Sequence, residues 1–210
     1  MNFEIGRGSV ASHDGNFYGT FTTRMRQRNF TIHRWLWCLM LLTGTLLRGQ
    51  TADLRSACEN TLPAQAQKTV AAKLKHWKVL TVADLSVDDR KIWEDDDDGK
   101  CPGITAGQFG PNQSQAYAVT LVRSMKGALY QTLVLVAEKN QRYQITTLSR
   151  SQKAARPSIV RRLPGGTYSS AEGEIQIDAA FDVIAYETIE AGTIIYYWNK
   201  SKYKNLIISE

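Results

Sequence analysis

The chain reads as an α+β fold: an antiparallel β-sheet of about six to seven strands with one main N-terminal helix packed on it. Three observations carry this. Apolar residues recur at helical spacing in one early segment. From Ala116 onward, short runs rich in Val, Leu, Thr and Tyr are separated by turn residues. The connections between those runs are short, which suits antiparallel pairing and not parallel crossovers.

The elements follow in order. Thr61-Leu-Pro63 opens the helix, with Thr61 as its cap and proline tolerated in the first turn. Ala66, Val70, Leu74 and Trp77 form its apolar face, and Gln65, Lys68, Lys73 and Lys75 its polar one. Ser86 precedes a second short helical or turn segment, Ser86–Trp93. Strands are expected at Tyr117–Arg123, Leu129–Glu138, Arg142–Leu148, Ser158–Leu163, Phe181–Tyr186, Thr193–Trp198 and Tyr203–Ser209. Gly127, Lys139-Asn-Gln141, Pro164-Gly-Gly166, Gly192 and Asn199-Lys-Ser-Lys202 separate them. Ser149–Pro157 and Gly165–Gly173 read as exposed loops.

Ahead of this domain, the apolar run Trp35–Leu47 follows Arg24, Arg26, Arg28 and Arg34. A short apolar core behind a basic flank, followed by small and polar residues, has the pattern of a secretory signal. The run falls short of the roughly 20 apolar residues that span a bilayer and is closed by Arg48. Cleavage is expected after Gly49 or, alternatively, after Ala52, leaving no stable membrane anchor. Residues 1–24 carry neither period, and Met25 stands directly before the basic flank. They are read as a non-native N-terminal extension, 25–49 as the signal peptide, and 50–210 as one domain. The expected location is periplasmic or extracellular.

The net charge of +6 would suggest a nucleic-acid partner. Residues 1–49, however, hold Arg7, Arg24, Arg26, Arg28, Arg34 and Arg48 against Glu4 and Asp14, a surplus of four. What remains is near +2, so the balance gives no support to nucleic-acid binding. Cys38 leaves with the signal, and Cys58 and Cys101 remain. An even pair in an exported chain reads as a disulfide.

Several segments taken together carry a resemblance. Trp77–Leu85, Asp88–Trp93, Cys101-Pro-Gly103, Gly107-Gln-Phe109, Tyr117-Ala118, Tyr196-Tyr-Trp198 and Leu206–Ser209 resemble a group of uncharacterised exported bacterial proteins. The middle of the pattern is similar to the calcium loop of FG-GAP (integrin-like) repeats. Gly107, Phe109, Tyr117 and Ala118 match that loop. Gln108, Gly110 and Ala116 stand where it would place aspartates, and Asn112 replaces another. Calcium takes several oxygen ligands, commonly carboxylates. The resemblance therefore implies a degenerate loop that keeps the turn and has lost the ion.

Other constellations are weaker. Glu94-Asp-Asp-Asp-Asp-Gly-Lys100 reads as a solvated acidic loop; if it holds a cation, Glu94, Asp96 and Asp98 are the candidates. Thr105 then occupies the place of the required glutamate and Pro102 interrupts the frame. Arg150, Lys153, Arg156, Arg161 and Arg162 read as a solvated basic face, with binding of polyanions or acidic polysaccharide by the cluster as the alternative. His76 is the one histidine after residue 49 and reads as a surface helix residue without a nucleophile motif. No phosphate-cradling glycine loop or metalloprotease helix occurs in the sequence. No catalytic residue is singled out and no cofactor is called for.

The leading expectation is an exported, non-enzymatic domain that binds a protein or glycan partner in the cell envelope. Tyr196, Tyr197, Trp198 and Tyr203, together with Arg161 and Arg162, are its candidate contact residues. The alternatives are a secreted hydrolase using carboxylates among Glu172, Glu174, Asp178, Asp182, Glu187 and Glu190, and a structural envelope component.

Overall fold

The computed structural model describes Cys58 and residues 60–97, 100–111 and 115–209. The expected signal segment, the expected extension before it, Asp98 and Asn112 lie outside the described residues. Among those residues the fold is α+β, with every strand pairing antiparallel. The described strands number eleven in three sheets, and the α-helices two of similar length. This replaces the expected six to seven strands and single main helix. None of the described helices is long and apolar enough to cross a membrane.

Helix α1 spans Ala64–Lys73 and buries Ala66 and Val70, with Leu74 and Trp77 half-buried beyond its end. Its N-cap is Pro63, two residues later than Thr61, and no side chain caps it. His76 lies just after the helix at φ 70°, exposed in the turn that ends it. The expected helix-face position is corrected accordingly. Helix α2, Val87–Asp97, starts where expected. Ser86 Oγ accepts the Asp89 N–H at 3.1 Å and donates to Asp89 Oδ2 at 2.7 Å, satisfying one of the open donors at the helix start.

The first sheet joins β1 (Lys78–Val79), β2 (Ile104–Gly107), β3 (Ala116–Met125), β4 (Ala128–Lys139) and β5 (Arg142–Ala154). Two tight turns set its register. Lys126 and Gly127, then Asn140 and Gln141, all have φ between 52° and 73°, the left-handed pair that two-residue hairpins need. Strand β5 runs through most of the segment read as the Ser149–Pro157 loop. The second sheet is ordered β11 (Lys202–Ser209), β10 (Gly192–Asn199), β9 (Val183–Thr188) and β6 (Ile159–Leu163). A separate hairpin, β7 (Gly166–Ser169) with β8 (Gln176–Ala179), occupies part of the other expected loop.

Side-chain alternation along β3 and β4 feeds two cores. Tyr117, Val119, Leu121, Val134 and Val136 face α1 and the Cys58–Cys101 disulfide. Ala116, Ala118, Leu133 and Leu135 face Val160, Ile184, Tyr186 and Tyr196 of the second sheet. The second sheet is covered on its far side by the β7–β8 hairpin, where Tyr168 and Ile177 meet Val183, Ile195 and Tyr197.

The two stacked sheets are tied together on the β2–β6 side. The Val160 N–H donates to Pro102 O at 2.9 Å, and Gln131 of β4 holds Ser158 through bonds of 3.1 and 2.8 Å. On the opposite side the terminal strands are β5 and β11. Among the described residues the stack is therefore laced along one side and open along the other.

Candidate functional site

The open side is a groove of about 710 Å³ lined by β4, β5, β10 and β11. Its position follows from strand alternation. In β10, Tyr196 and Trp198 point toward the first sheet, while Tyr197 points away into the core under the β7–β8 hairpin. Tyr203 pairs with Trp198 across the β10–β11 turn and shares its face. Three of the four aromatic candidates thus converge, and Tyr197 is a buried structural residue, 7% exposed.

Within the groove the Trp198 and Tyr203 rings meet edge to face, with centroids 5.1 Å apart and planes at 75°. Both are half-buried, so each keeps surface in contact with solvent. Tyr196 lies deeper, and burial raises its phenol above the usual tyrosine range. Facing them from the first sheet are exposed Gln144 and Thr146, with Asn205 beside them on β11. The site therefore combines aromatic rings with amide and hydroxyl groups that can both donate and accept hydrogen bonds. Gln144, Thr146 and Asn205 were missed by the sequence reading; only the pairing register places them next to the aromatics.

The floor of the aromatic pair is the segment of residues 107–110. Gln108 and Asp182 are clipped together: the Gln108 N–H donates to Asp182 Oδ2 at 2.9 Å and the Asp182 N–H to Gln108 O at 3.1 Å. Phe109 is fully buried between the sheets. A Cβ at Gly107 would stand 2.8 Å from Asp182 Oδ2 and 2.9 Å from Phe109 Cζ, so only glycine fits without a shift. A Cβ at Gly110 would lie 3.1 Å from Tyr203 Oη and 3.6 Å from the Trp198 ring. The segment wedges the sheets and supports the aromatic pair through bare backbone.

The basic candidates do not gather. Arg161 lies over the Trp93 ring at 4.9 Å and reaches Glu187 at 3.3 Å. Arg162 is 3.9 Å from Asp182, and Arg156 is held by Asp89 with Glu190 at 3.9 Å. The same contacts disperse the late carboxylates. Asp182, Glu187 and Glu190 each face a different arginine, Asp178 accepts from Thr167 at 2.6 Å, and Glu172 and Glu174 lie exposed between β7 and β8. None of them lines the aromatic groove.

Glu94 and Asp96 are exposed on α2, not in a loop. Residues two apart on a helix diverge by about 200° around the axis, so these two do not aim at a common ion. Among the described residues no group of three His, Cys, Asp or Glu side chains is placed to hold a metal. Cys58 and Cys101 do come together as a disulfide, with Cα atoms 4.8 Å apart.

Comparison of the chain with protein-family models, curated proteins and solved structures returns no match.

Proposed function

We propose that this protein is an exported binding module that takes a protein or glycan partner in the cell envelope, through the groove between β5 and β11. The observation that carries this reading is the half-exposed Trp198–Tyr203 pair facing Gln144 and Thr146 across the open side of the stack. Rings beside a few polar groups, in a concave site, are what ligand sites commonly present. The signal-like run at Trp35–Leu47 and the disulfide are the support for an envelope location. Under this reading the calcium-loop-like segment is a wedge that shapes the groove and takes no ion.

The test is affinity capture of envelope components on the full chain, run beside Trp198→Ala and the remote control Lys91→Ala on the exposed face of α2. A specific component held by the wild type and the control, and lost with Trp198→Ala, is the expected result. Identical capture by all three proteins removes the groove from the explanation.

A further inference from the structure

We infer that the groove takes an acidic polypeptide segment in extended conformation, which adds as a short strand to the outer edge of β11. This rests on the binding-module reading and narrows it to one ligand chemistry.

The backbone supplies the first observation. Strand β11 ends its sheet. The Ile207 carbonyl accepts the Ala171 N–H at 3.0 Å, so Ile207 turns its polar backbone groups away from β10. In an antiparallel strand this orientation recurs at every second residue. Asn205 therefore presents its N–H and C=O on the same outer side, at the groove. Among the described residues, the loop after β7 occupies the edge at Ile207, and the edge near Asn205 is left for a partner. At about 3.4 Å per residue, a pairing partner of four or five residues fits this stretch. Its side chains would alternate between the groove, against Trp198 and Thr146, and solvent.

Charge supplies the second observation and selects the partner. Lys139 shares the groove face of β4, whereas Lys202 and Lys204 border the groove on the β11 edge with side chains alternating to the face opposite Tyr203, and Glu138 is the one carboxylate among the residues around it. The turns that carry them bring Lys200 and Arg142 to the same end, since Lys139–Arg142 and Asn199–Lys202 are the two hairpin tips flanking it. Lysines along a strand edge discourage pairing with neutral or basic strands, including a second copy of the same edge. The same lysines attract an acidic strand, and like charges set opposite each other are what the arrangement rejects. An acidic saccharide would satisfy the charges and the rings but has no need of the β11 backbone.

The test uses the full chain and a labelled eight-residue peptide of alternating Glu and Val. Its companions are the same peptide N-methylated at every second residue in each of the two possible registers, its Lys-for-Glu counterpart, and an oligogalacturonate. Saturable binding of the acidic peptide is expected, with at least tenfold loss on N-methylation at the pairing positions, on Lys-for-Glu exchange, and in Lys139→Glu/Lys202→Glu. Both substituted lysines are exposed, so folding is not at stake. Binding should also slow amide hydrogen exchange at Asn205. Equal binding of both N-methylated registers, or unchanged exchange at Asn205, overturns strand addition. A Trp198-dependent response to oligogalacturonate, with none to the peptide, overturns this inference and leaves the groove reading standing. No Trp198-dependent response to either ligand, with no Trp198-dependent capture, removes both.

Discussion

Arg156, from the segment between β5 and β6, grips Asp89 in the first turn of α2: its Nε donates to Asp89 Oδ2 at 3.2 Å and its Nη2 to Oδ1. The Asp89 side chain is 2% exposed and that of Arg156 37%, so a buried carboxylate depends on a cation that remains partly in water. The pair fastens α2 to the closed side of the stack, where Trp93, Leu80 and Ile159 form their own core.

The pair predicts an acid limb to stability. Hydrogen bonding from Arg156 is the main reason that Asp89 is held below the ordinary carboxylate range, against the opposing effect of its burial. A depressed native value means that the stabilisation is complete above the unfolded aspartate value, about 3.9, and is lost as pH falls through the native one. Arg156→Ala should destabilise the fold at neutral pH, since it leaves a buried carboxylate without its cation. Its burial would then raise Asp89, so the variant should lose less than the wild type on acidification. Denaturant titrations across the acid range check this; parallel pH curves for the two proteins would refute it.

The Cys58–Cys101 bridge predicts a larger effect from few atoms. It links residues 43 apart and ties the start of the helical segment to the turn before β2. Closing a loop of that length stabilises by about 3–4 kcal/mol in the chain-entropy model. The double variant Cys58→Ser/Cys101→Ser should lose that amount in denaturant unfolding, and the wild type should lose it on reduction. The double change avoids mispairing with Cys38. An unchanged unfolding midpoint in the double variant would count against the bridge as a stabilising element.

Legibility in the sequence tracked the length of each pattern. Strands β3, β4 and β10 are long and rich in branched and aromatic residues, so Val119, Leu121, Val134 and Ile195 announced them. Strand β1 has two residues and β2 four, too few for alternation to register. The end of β5, Ser149-Arg-Ser-Gln-Lys-Ala154, is polar because it is an edge beyond the core, and polarity alone reads as loop. The acidic run was misread for a related reason. Asp95 and Asp96 extend α2 although aspartate is a weak helix former, because the helix is held by its first turn and by Trp93. Of the groove, the aromatics were legible as residue types, but their convergence was not. That depends on Trp198 facing Tyr203 across a two-residue turn, and on which edge of the stack is left open.

The buried tyrosines predict the alkaline limit. Burial raises the Tyr186 phenol far above its ordinary value, and raises Tyr196 as well; their rings meet edge to face at 6.4 Å between the sheets. A phenol whose native value lies above its unfolded value of about 10 contributes stability below that value. The contribution is lost as pH rises toward the native one. Of the nine tyrosines, Tyr186 should therefore ionise only as the sheets separate. Near-ultraviolet absorbance should show a late ionisation phase that coincides with loss of secondary structure by circular dichroism. Tyr186→Phe removes the titrating group while keeping the ring in place, so stability at neutral pH should stay within about 1 kcal/mol. The unfolding pH should rise. A variant that unfolds at the same alkaline pH as the wild type would show that another group sets that limit.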